Sequence, residues 1–381
     1  MMCFDINNII FYLLSFRSKH EFKKINKSST KLKIIDLLNI EIKYLRKLDD
    51  KILKNYPQTI KLYASNNKLI TKINKMKNLR VLYAEESCGL SHFGFSCCIN
   101  IKVLHATDNK KIKNINFLTN LTELSARSTF SGIVHDSFKD CTNLEILNIR
   151  HNANILTLKG FTNLKYLDAS YCRRLSDKYI NDCTKLEMLY LDGVETFNDL
   201  NKLSNLRTLR AASTINTDGL IGCVNLEILD FCYNLNSINF NHLTNLKMLR
   251  KQYVCDDNIK YCTSLEVLFT FPCCSDLNNL TNLRMLCASG ENLVTNSIIN
   301  CTNLEVLNVY YCNNLENIDH LENLKILRIT GPNKLEIHEI EKKCTNLKRI
   351  TNSDYNTINL NFNVLWNDNI VDDFIRNYQS Y

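Results

Sequence analysis

The chain of 381 residues is poor in the residues that usually make turns, with 9 glycines and 3 prolines. Asparagine, which is abundant, can adopt the left-handed backbone and close a turn with its side chain, so we expect it to replace glycine. No apolar stretch reaches the roughly 18 residues of a membrane-spanning helix. The first apolar run, Ile9 to Phe16, contains Tyr12 and Ser15 and precedes no small-residue cleavage site. We therefore expect neither a signal peptide nor a membrane span.

The motifs that commonly mark enzymes are missing as well. The sequence has no glycine-rich phosphate loop, no His-Glu-x-x-His and no Cys-x-x-Cys. Its 8 histidines are scattered without the spacing of metal ligands. We therefore expect a non-enzymatic protein that needs no metal and no cofactor.

The net charge of +8 is concentrated near the N-terminus, in residues 17–54. A nucleic-acid-binding protein should carry a basic stripe along its binding face, and the remaining chain shows no such excess, so nucleic acid is not an expected partner. The 17 cysteines are odd in number and mostly recur at one repeat position. This pattern predicts buried free thiols in a reducing, intracellular compartment, either cytoplasm or nucleus.

A repeated apolar motif, Leu-x-x-Leu-x-(Leu/Ile/Ala), dominates the sequence. Its fourth and sixth positions are two residues apart, so both face the same side of an extended strand. One unit cannot bury this edge alone, and neighbouring units must stack to cover it. A degenerate copy with Leu62 and Ala64 precedes fourteen copies spaced 18 to 23 residues apart. The copies begin at Leu79, Ile101, Leu121, Leu144, Leu164, Leu186, Leu206, Leu226, Leu246, Leu265, Leu283, Leu304, Leu324 and Leu347.

This pattern resembles the leucine-rich repeat, Leu-x-x-Leu-x-Leu-x-x-(Asn/Cys), over about three quarters of the chain. The ninth position is filled as the family requires by Asn109, Asn152, Cys172, Asn234, Cys273 and Cys312. The resemblance implies an α/β solenoid with a curved parallel sheet on its concave face, short helices, 3₁₀ turns or irregular segments on its convex face, and a small helical N-terminal segment. We expect a linker or capping region at residues 36–58, about 14 to 15 repeats over residues 59–350, and a C-terminal cap over residues 351–381.

A second period of about 40 residues overlies the first. Three residues before the first Leu, units alternate between a Cys type and a Leu type, which carries Leu, Met or Phe. The cysteines of the Cys type are Cys98, Cys141, Cys183, Cys223, Cys262, Cys301 and Cys344. An Asp or Asn shortly before five of them is expected to cap a short helix: Asp136, Asp177, Asp218, Asp257 and Asn296. The residue after the first Leu alternates in charge from Glu145 to Lys325, which we interpret as a device that sets the strand register.

The third and fifth positions of the motif are expected to point to the concave face. The apolar third positions indicate either a groove for a partner or lateral packing between strands, and the sequence leaves both open. Aromatic and arginine side chains dominate interface energetics. The partner-binding candidates are Tyr166, Asp168, Met188, Tyr190, Arg210, Asp230, Arg250 and Phe269.

Residues 1–35 do not fit the repeat. Apolar side chains recur there at helical spacing in two short amphipathic pieces: Ile9, Ile10, Leu13, Leu14, Phe16, Phe22 and Ile25. This segment resembles the N-terminal part of an F-box, although Phe4-Asp5 stands where Leu-Pro is expected and the tryptophan common near the end of the box is absent. The resemblance implies that these seven residues dock a Skp-type adaptor.

The repeat around Leu167–Leu186 resembles the cysteine-containing subclass of leucine-rich repeats. That subclass is frequently joined to an F-box in substrate receptors of SCF-type (cullin–RING) ubiquitin ligases, which implies that the concave face holds a substrate. The alternative is a stand-alone scaffold or sequestering protein whose N-terminal helices only cap the solenoid.

Overall fold

The computed structural model describes one parallel strand in each repeat. The residues it describes are 34–35, 49–194, 197–211, 215, 217–231, 239–252, 254, 256–271 and 276–353. The chain forms two compact units, Met1–Gln252 and Tyr253–Tyr381. Within each unit, strands that follow one another in the chain pair in parallel. The predicted class, an α/β leucine-rich-repeat solenoid, is confirmed.

Among the described residues, eleven strands lie in the first unit and five in the second. Those of the first are β1 (Ile34–Ile35), β2 (Lys61–Tyr63), β3 (Val81–Tyr83), β4 (Val103–His105), β5 (Glu123–Ser125), β6 (Ile146–Asn148), β7 (Tyr166–Asp168), β8 (Met188–Leu191), β9 (Thr208–Ala211), β10 (Ile228–Phe231) and β11 (Met248–Gln252). Those of the second are β12 (Val267–Phe271), β13 (Met285–Ser289), β14 (Val306–Tyr310), β15 (Ile326–Thr330) and β16 (Arg349–Ser353).

The core of each unit is a ladder of identical repeat positions. In the turn that contains β3, the first, fourth and sixth residues are Leu79, Leu82 and Ala84, and all three are fully buried. The intervening Val81 and Tyr83 are only half-buried, because a strand directs successive side chains to opposite faces. Leu82 pairs in register with Leu62 and Leu104 of the adjacent strands. Each such buried leucine stabilises the stack by roughly 1.5–3 kcal/mol.

The eighth residue of the turn adopts left-handed backbone wherever its conformation is described, in non-glycine residues such as Asn66 as well as in glycines. Few glycines are therefore needed. Glycine is required at Gly193 and Gly331 for a second reason, because an added Cβ would meet a tyrosine ring of the preceding turn. It would lie 2.5 Å from Cδ1 of Tyr171 and 2.7 Å from Cδ1 of Tyr311, respectively.

The ninth residue turns inward and joins neighbouring turns by hydrogen bonds. The Asn152 Nδ2 donates to the carbonyl oxygens of Ala126 and Ile133 at 2.9 and 3.0 Å, while its Oδ1 accepts from the Asn154 N–H. Where the position is Cys172, the thiol donates to the Ile149 oxygen at 3.0 Å. The family's expected role for this position is therefore present in this chain.

Seven of the described helical segments each precede the repeat cysteine of a Cys-type turn, as the sequence indicated. They are His92–Phe95, His135–Ser137, Asp177–Tyr179, Thr217–Leu220, Asp256–Ile259, Thr295–Ile298 and Ile337–Lys343. An eighth helix, Asp50–Leu53, precedes the first full repeat. Five of the eight are 3₁₀ turns.

The expected helix caps are wrong in detail. The N-caps of the second, third and sixth of these helices are Val134, Ser176 and Val294, so Asp136, Asp177 and Asn296 lie inside the helical turns. The Asp177 Oδ1 accepts from the Lys178 N–H in its own helix at 2.7 Å, and its Oδ2 accepts from the N–H groups of Asn198 and Asp199 in the next turn at 3.0 and 3.1 Å. These helices begin one or two residues earlier than the expected caps require, so the three side chains fall within the first helical turn and not before it.

Each Leu-type turn is tied to the Cys-type turn that follows it, which gives the 40-residue period a physical basis. The Ile115 N–H donates to the Ser137 oxygen at 2.7 Å, and the Ile115 oxygen accepts from the Cys141 thiol at 3.4 Å. The same pair of contacts joins Leu158 to the next Cys-type turn. Burial raises the pKa of Cys141 to about 12, so the thiol remains a neutral donor.

The alternating charges after the first Leu form ion pairs between adjacent strands, as predicted. Lys165 lies 2.8 Å from Glu145, and Glu305 contacts both Arg284 and Lys325. A shift of one residue in the strand register would break these ion pairs and would also turn the leucine ladder out of the core.

The seven adaptor-binding candidates between Ile9 and Ile25 lie outside the described residues. Most of the predicted C-terminal cap, residues 351–381, also lies outside the described residues, which end with β16. Among the helices that are described, none is both long and apolar enough to cross a membrane.

Candidate functional site

The sheet face that points away from the core is formed by the third and fifth residues of each repeat, counted from its first Leu, and we call it the open face. Strand register brings most of the predicted partner-binding residues together there. In the repeats that contain β7 to β11, the fifth residues lie side by side on adjacent strands. They are Asp168, Tyr190, Arg210, Asp230 and Arg250. Tyr166 and Met188 occupy the third positions of the repeats that contain β7 and β8, and they pair with each other in the sheet.

Two arginines in this row are held by carboxylates. The Arg250 guanidinium forms a bidentate pair with Asp230, whose side chain is 11% exposed. The Arg210 Nε lies 3.0 Å from Asp192 and 3.8 Å from Asp230. Arg210 nevertheless keeps 44% of its side chain exposed, against 15% for Arg250. Arg210 is thus a fixed but accessible cation, whereas Arg250 and Asp230 mainly position it.

Tyr166 and Tyr190 make an edge-to-face contact, with ring centroids 5.6 Å apart and an interplanar angle of 60°. Burial raises the pKa of Tyr166 to about 12, and Asp168 adds to the shift. Burial also raises the pKa of Tyr190, although Arg210 opposes it. Both phenols therefore stay protonated at neutral pH and can donate hydrogen bonds to a partner.

Accessibility differs among the remaining candidates. Met188 is half-buried beside the tyrosines, and Ile146 on β6 extends the apolar strip with 41% of its surface exposed. Asp168 is buried. Phe269 lies on β12 in the second unit and is 6% exposed, so its position leaves little ring surface for a partner.

An aromatic stack on the first strands was not singled out from the sequence. Tyr63 and Tyr83 are parallel with centroids 4.3 Å apart, and His105 continues the stack at 4.5 Å. The Lys61 Nζ lies 4.6 Å from the Tyr63 ring centroid, and the His105 Nε2 is 3.0 Å from Glu123. Tyr63, Tyr83 and His105 share the fifth position of the repeats that contain β2 to β4. Comparing that position across consecutive repeats could have found the stack.

A cationic cluster just beyond the strand ends was also missed. We call it the basic edge, and it consists of Lys110, Arg127, Arg150, Arg173 and Arg174. The residues occupy positions seven to eleven of four consecutive turns. These four turns, residues 101–185, hold 13 Lys and Arg against 8 Asp and Glu, a net charge of +5. A total over the whole repeat region conceals this excess, because later repeats are acidic. Reading positions seven to eleven across consecutive repeats would have revealed it.

The chemistry of these surfaces is that of recognition. In the portion of the chain that the structure describes, no group of three or more His, Cys, Asp or Glu could hold a metal ion. The open face instead offers phenol hydroxyls, an accessible guanidinium and an apolar strip on rigid strands, and the basic edge offers further guanidiniums.

Comparisons with known proteins show the fold. No family model and no curated protein matches the chain. Solved structures do match, including the functional domain of InlJ from Listeria monocytogenes, which includes a cysteine ladder. The TM-score is 0.56 at 17% identity, over 76% of this chain and 66% of that one. The chain therefore spans about two thirds of the InlJ domain.

Two further structures are similar. An internalin, InlF, from Listeria monocytogenes gives a TM-score of 0.55 at 18% identity, over 81% of this chain and 89% of its own. The leucine-rich-repeat protein LIC12759 from Leptospira interrogans gives 0.53 at 18% identity, over 79% and 97%. Together with the repeat geometry, these likenesses define the fold of the chain as that of a leucine-rich-repeat solenoid.

Proposed function

We propose that the chain is a non-enzymatic protein–protein interaction protein whose open face in the first unit holds a protein partner. The observation that carries this proposal is the contiguous group of Tyr166, Tyr190 and Arg210 on three adjacent strands. Tyrosine and arginine are enriched among the residues that contribute most binding energy at protein interfaces.

Preorganisation supports the proposal further. The ion pairs of Arg210 and the contact between the two tyrosine rings hold these side chains before a partner arrives. Binding then costs less side-chain entropy, which is about 0.5–1.5 kcal/mol for each long side chain that must be immobilised.

The test uses Tyr166→Ala/Tyr190→Ala and a matched control, Tyr179→Ala/Tyr261→Ala, which removes two tyrosines from the helical side of the turns. A partner identified by affinity purification is produced separately, and its Kd is measured for each variant. Loss of the two aromatic anchors should weaken binding by roughly 700-fold, because each such residue contributes about 2 kcal/mol and every 1.4 kcal/mol changes the Kd tenfold.

The control should bind as the wild type does, and thermal unfolding should show that both variants fold. If every partner binds the open-face variant unchanged, the proposal is wrong.

The finer proposal is that the chain is a substrate receptor of an SCF-type ubiquitin ligase. The resemblance of residues 4–32 to an F-box and of the repeats to the cysteine-containing subclass supports it. On this proposal the seven apolar residues from Ile9 to Ile25 dock a Skp-type adaptor, and the open face holds the substrate. It also implies a reducing intracellular compartment, in keeping with the free thiols of the cysteines that the structure describes.

This finer proposal is tested by pull-down with purified Skp-type adaptor. Leu13→Asp/Leu14→Asp should abolish capture, because charges on the docking face cannot be buried without a partner. The matched control, Ile221→Asp/Val224→Asp, changes two exposed apolar residues of a repeat and should retain the adaptor. Failure of the wild type to bind, or retention by the first variant, would favour a stand-alone scaffold whose N-terminal segment only caps the solenoid.

A further inference from the structure

The arginines of the basic edge differ from those of the charge row and of the open face, Arg207, Arg210 and Arg250, in having no carboxylate partner. Among the residues that the structure describes, Arg127, Arg150, Arg173 and Arg174 form no ion pair with Asp or Glu. By contrast, Arg207 pairs with Glu227 at 3.0 Å. Unpaired guanidiniums in adjacent turns repel one another, so their proximity has a cost that a bound anion would remove.

Exposed aromatic rings accompany these cations. Tyr171 and His151 stack with centroids 4.5 Å apart and planes 7° apart, and the Arg150 guanidinium carbon lies 5.0 Å from the Tyr171 centroid. One turn before Arg150, Phe130 is 63% exposed under the Lys110 ammonium, at 4.6 Å. The edge can therefore contact apolar groups as well as anions.

The positions of these rings are fixed by the backbone. His151 and Tyr171 both adopt φ near +63°, a conformation unfavourable for bulky residues. The Tyr171 ring lies over Gly193 of the next turn, where a Cβ would clash with it. The ring, and the guanidinium that packs on it, are thus held in place.

The basic edge is continuous with the open face. Arg127 and Arg150 both lie close enough to the Tyr166 phenol to oppose the rise of its pKa. A segment bound at the edge could therefore extend along the sheet to Tyr166 and Tyr190, which contact each other.

The edge is short and bounded by acids. It covers four turns, or about 14 Å at a spacing of roughly 4.8 Å between strands. The preceding turn carries Glu85 and Glu86, the first turn of the edge carries Asp108 beside Lys110, and the following turn carries Asp192. These carboxylates would repel the continuing phosphates of a nucleic acid strand, whereas a peptide with a few acidic residues fits the length.

We propose that the basic edge binds a short, extended acidic segment of a protein partner, with carboxylates on Arg127, Arg150 and Arg173 and an apolar side chain against Tyr171. The inference rests on the proposed protein-binding function and names the partner's chemistry at one end of the same surface. Arginine suits this role because its planar fork accepts a carboxylate in a bidentate pair.

The test measures fluorescence anisotropy of a labelled peptide that alternates Asp or Glu with Leu, using the full chain. A peptide with Asn and Gln in place of the acids is the probe control. The variant Arg150→Glu/Arg173→Glu is compared with Lys139→Glu/Lys159→Glu, which makes the same change of net charge on exposed residues in two of the four turns of the basic edge, at positions away from the edge itself.

The wild type should bind the acidic peptide at least about tenfold more tightly than the neutral one, with affinity falling as salt rises. Arg150→Glu/Arg173→Glu should weaken binding about tenfold or more, and the control variant by less than about twofold. Equal weakening by both variants, or no preference for the acidic peptide, would overturn the proposal. Tighter binding of a uridine oligonucleotide than of the acidic peptide would overturn it in favour of single-stranded nucleic acid.

These outcomes are separable from failure of the broader proposal. A partner that depends on Tyr166 and Tyr190 but binds Arg150→Glu/Arg173→Glu unchanged would leave the open face as a binding surface and remove only its acidic ligand. A partner that ignores both variants would remove the broader proposal itself.

Discussion

The open face has a different environment in the two units, although the repeat pattern is the same. In the first unit, third-position residues such as Val81, Tyr166 and Met188 are half-buried, although Met248 on the last strand of that unit is 4% exposed. In the second unit, the corresponding Val267 and Met285 are both 1% exposed. A repeat position therefore fixes the direction of a side chain but not its accessibility. The difference is why we assign partner binding to the first unit.

The largest expected effect contrasts two methionines at the third position. Met285→Asp places a charge in a buried site of the second unit, where desolvation is costly, and should lower the free energy of unfolding by about 3 kcal/mol or more. Met188→Asp alters a half-buried site of the first unit and should cost about 1 kcal/mol or less. Urea denaturation of both variants measures the difference. Equal losses of unfolding free energy in the two variants would contradict the difference between the two units.

The contrast of buried and accessible positions can be sharpened within the first unit by two asparagines. Asn152→Ala removes the donor to two buried carbonyl oxygens and should cost about 2–3 kcal/mol. Asn143 makes one exposed hydrogen bond, to the Thr119 oxygen, so Asn143→Ala should cost less than about 1 kcal/mol. Thermal unfolding compares them. A larger loss for Asn143→Ala would contradict the role assigned to the ninth position.

Low pH should remove the stabilisation that Glu305 provides through its ion pairs with Arg284 and Lys325. Burial raises its pKa, but hydrogen bonds from Lys325 and Arg284 outweigh burial and lower the pKa below its ordinary value of 4.5. Because the folded-state pKa is depressed, the stabilisation is present above that ordinary value and is lost as pH falls through the lower folded value. Glu305→Gln should therefore flatten the acid limb of stability against pH. An unchanged acid limb in chemical denaturation at several pH values would refute the assignment.

The last prediction concerns two adjacent cysteines, which should differ clearly in their reactivity toward an alkylating reagent. Cys97 is exposed, whereas Cys98 is buried and its pKa is raised to about 12 by burial. Brief alkylation of the native protein at pH 8 should modify Cys97 and spare Cys98, since only thiolate reacts. Peptide mass spectrometry reads the two sites, and Cys97→Ser is the control. Comparable labelling of Cys98 would show that its turn opens readily.

The fold could be predicted from the sequence because one constraint is repeated many times. Each unit has an apolar edge that only its neighbours can cover, so leucine spacing alone dictates stacked parallel strands. The alternating cysteines and the charge row were predictable for the same reason. Both are lateral contacts between equivalent positions, as in Ile115 with Cys141 and Glu145 with Lys165.

Features that depend on contacts between different repeat positions could not be read in this way. Asp177 was expected to cap its own helix but lies inside it, and its carboxylate also accepts hydrogen bonds from the following turn, which are set by the path of that turn. The basic edge combines positions seven to eleven of successive units, so no single row shows it. The burial of Met285 likewise follows from its surroundings in the fold, because Met188 has the same repeat position.

The central claim, that the open face of the first unit is accessible for a partner, is tested most directly by oxidative footprinting of the native protein with hydrogen peroxide. Oxidation of Met188 and Met285 is followed by peptide mass spectrometry, with the unfolded protein giving the intrinsic rate of each. We expect Met188 to oxidise at least about tenfold faster than Met285, and a bound partner to protect Met188. Equal native rates, or a faster rate at Met285, would contradict the account.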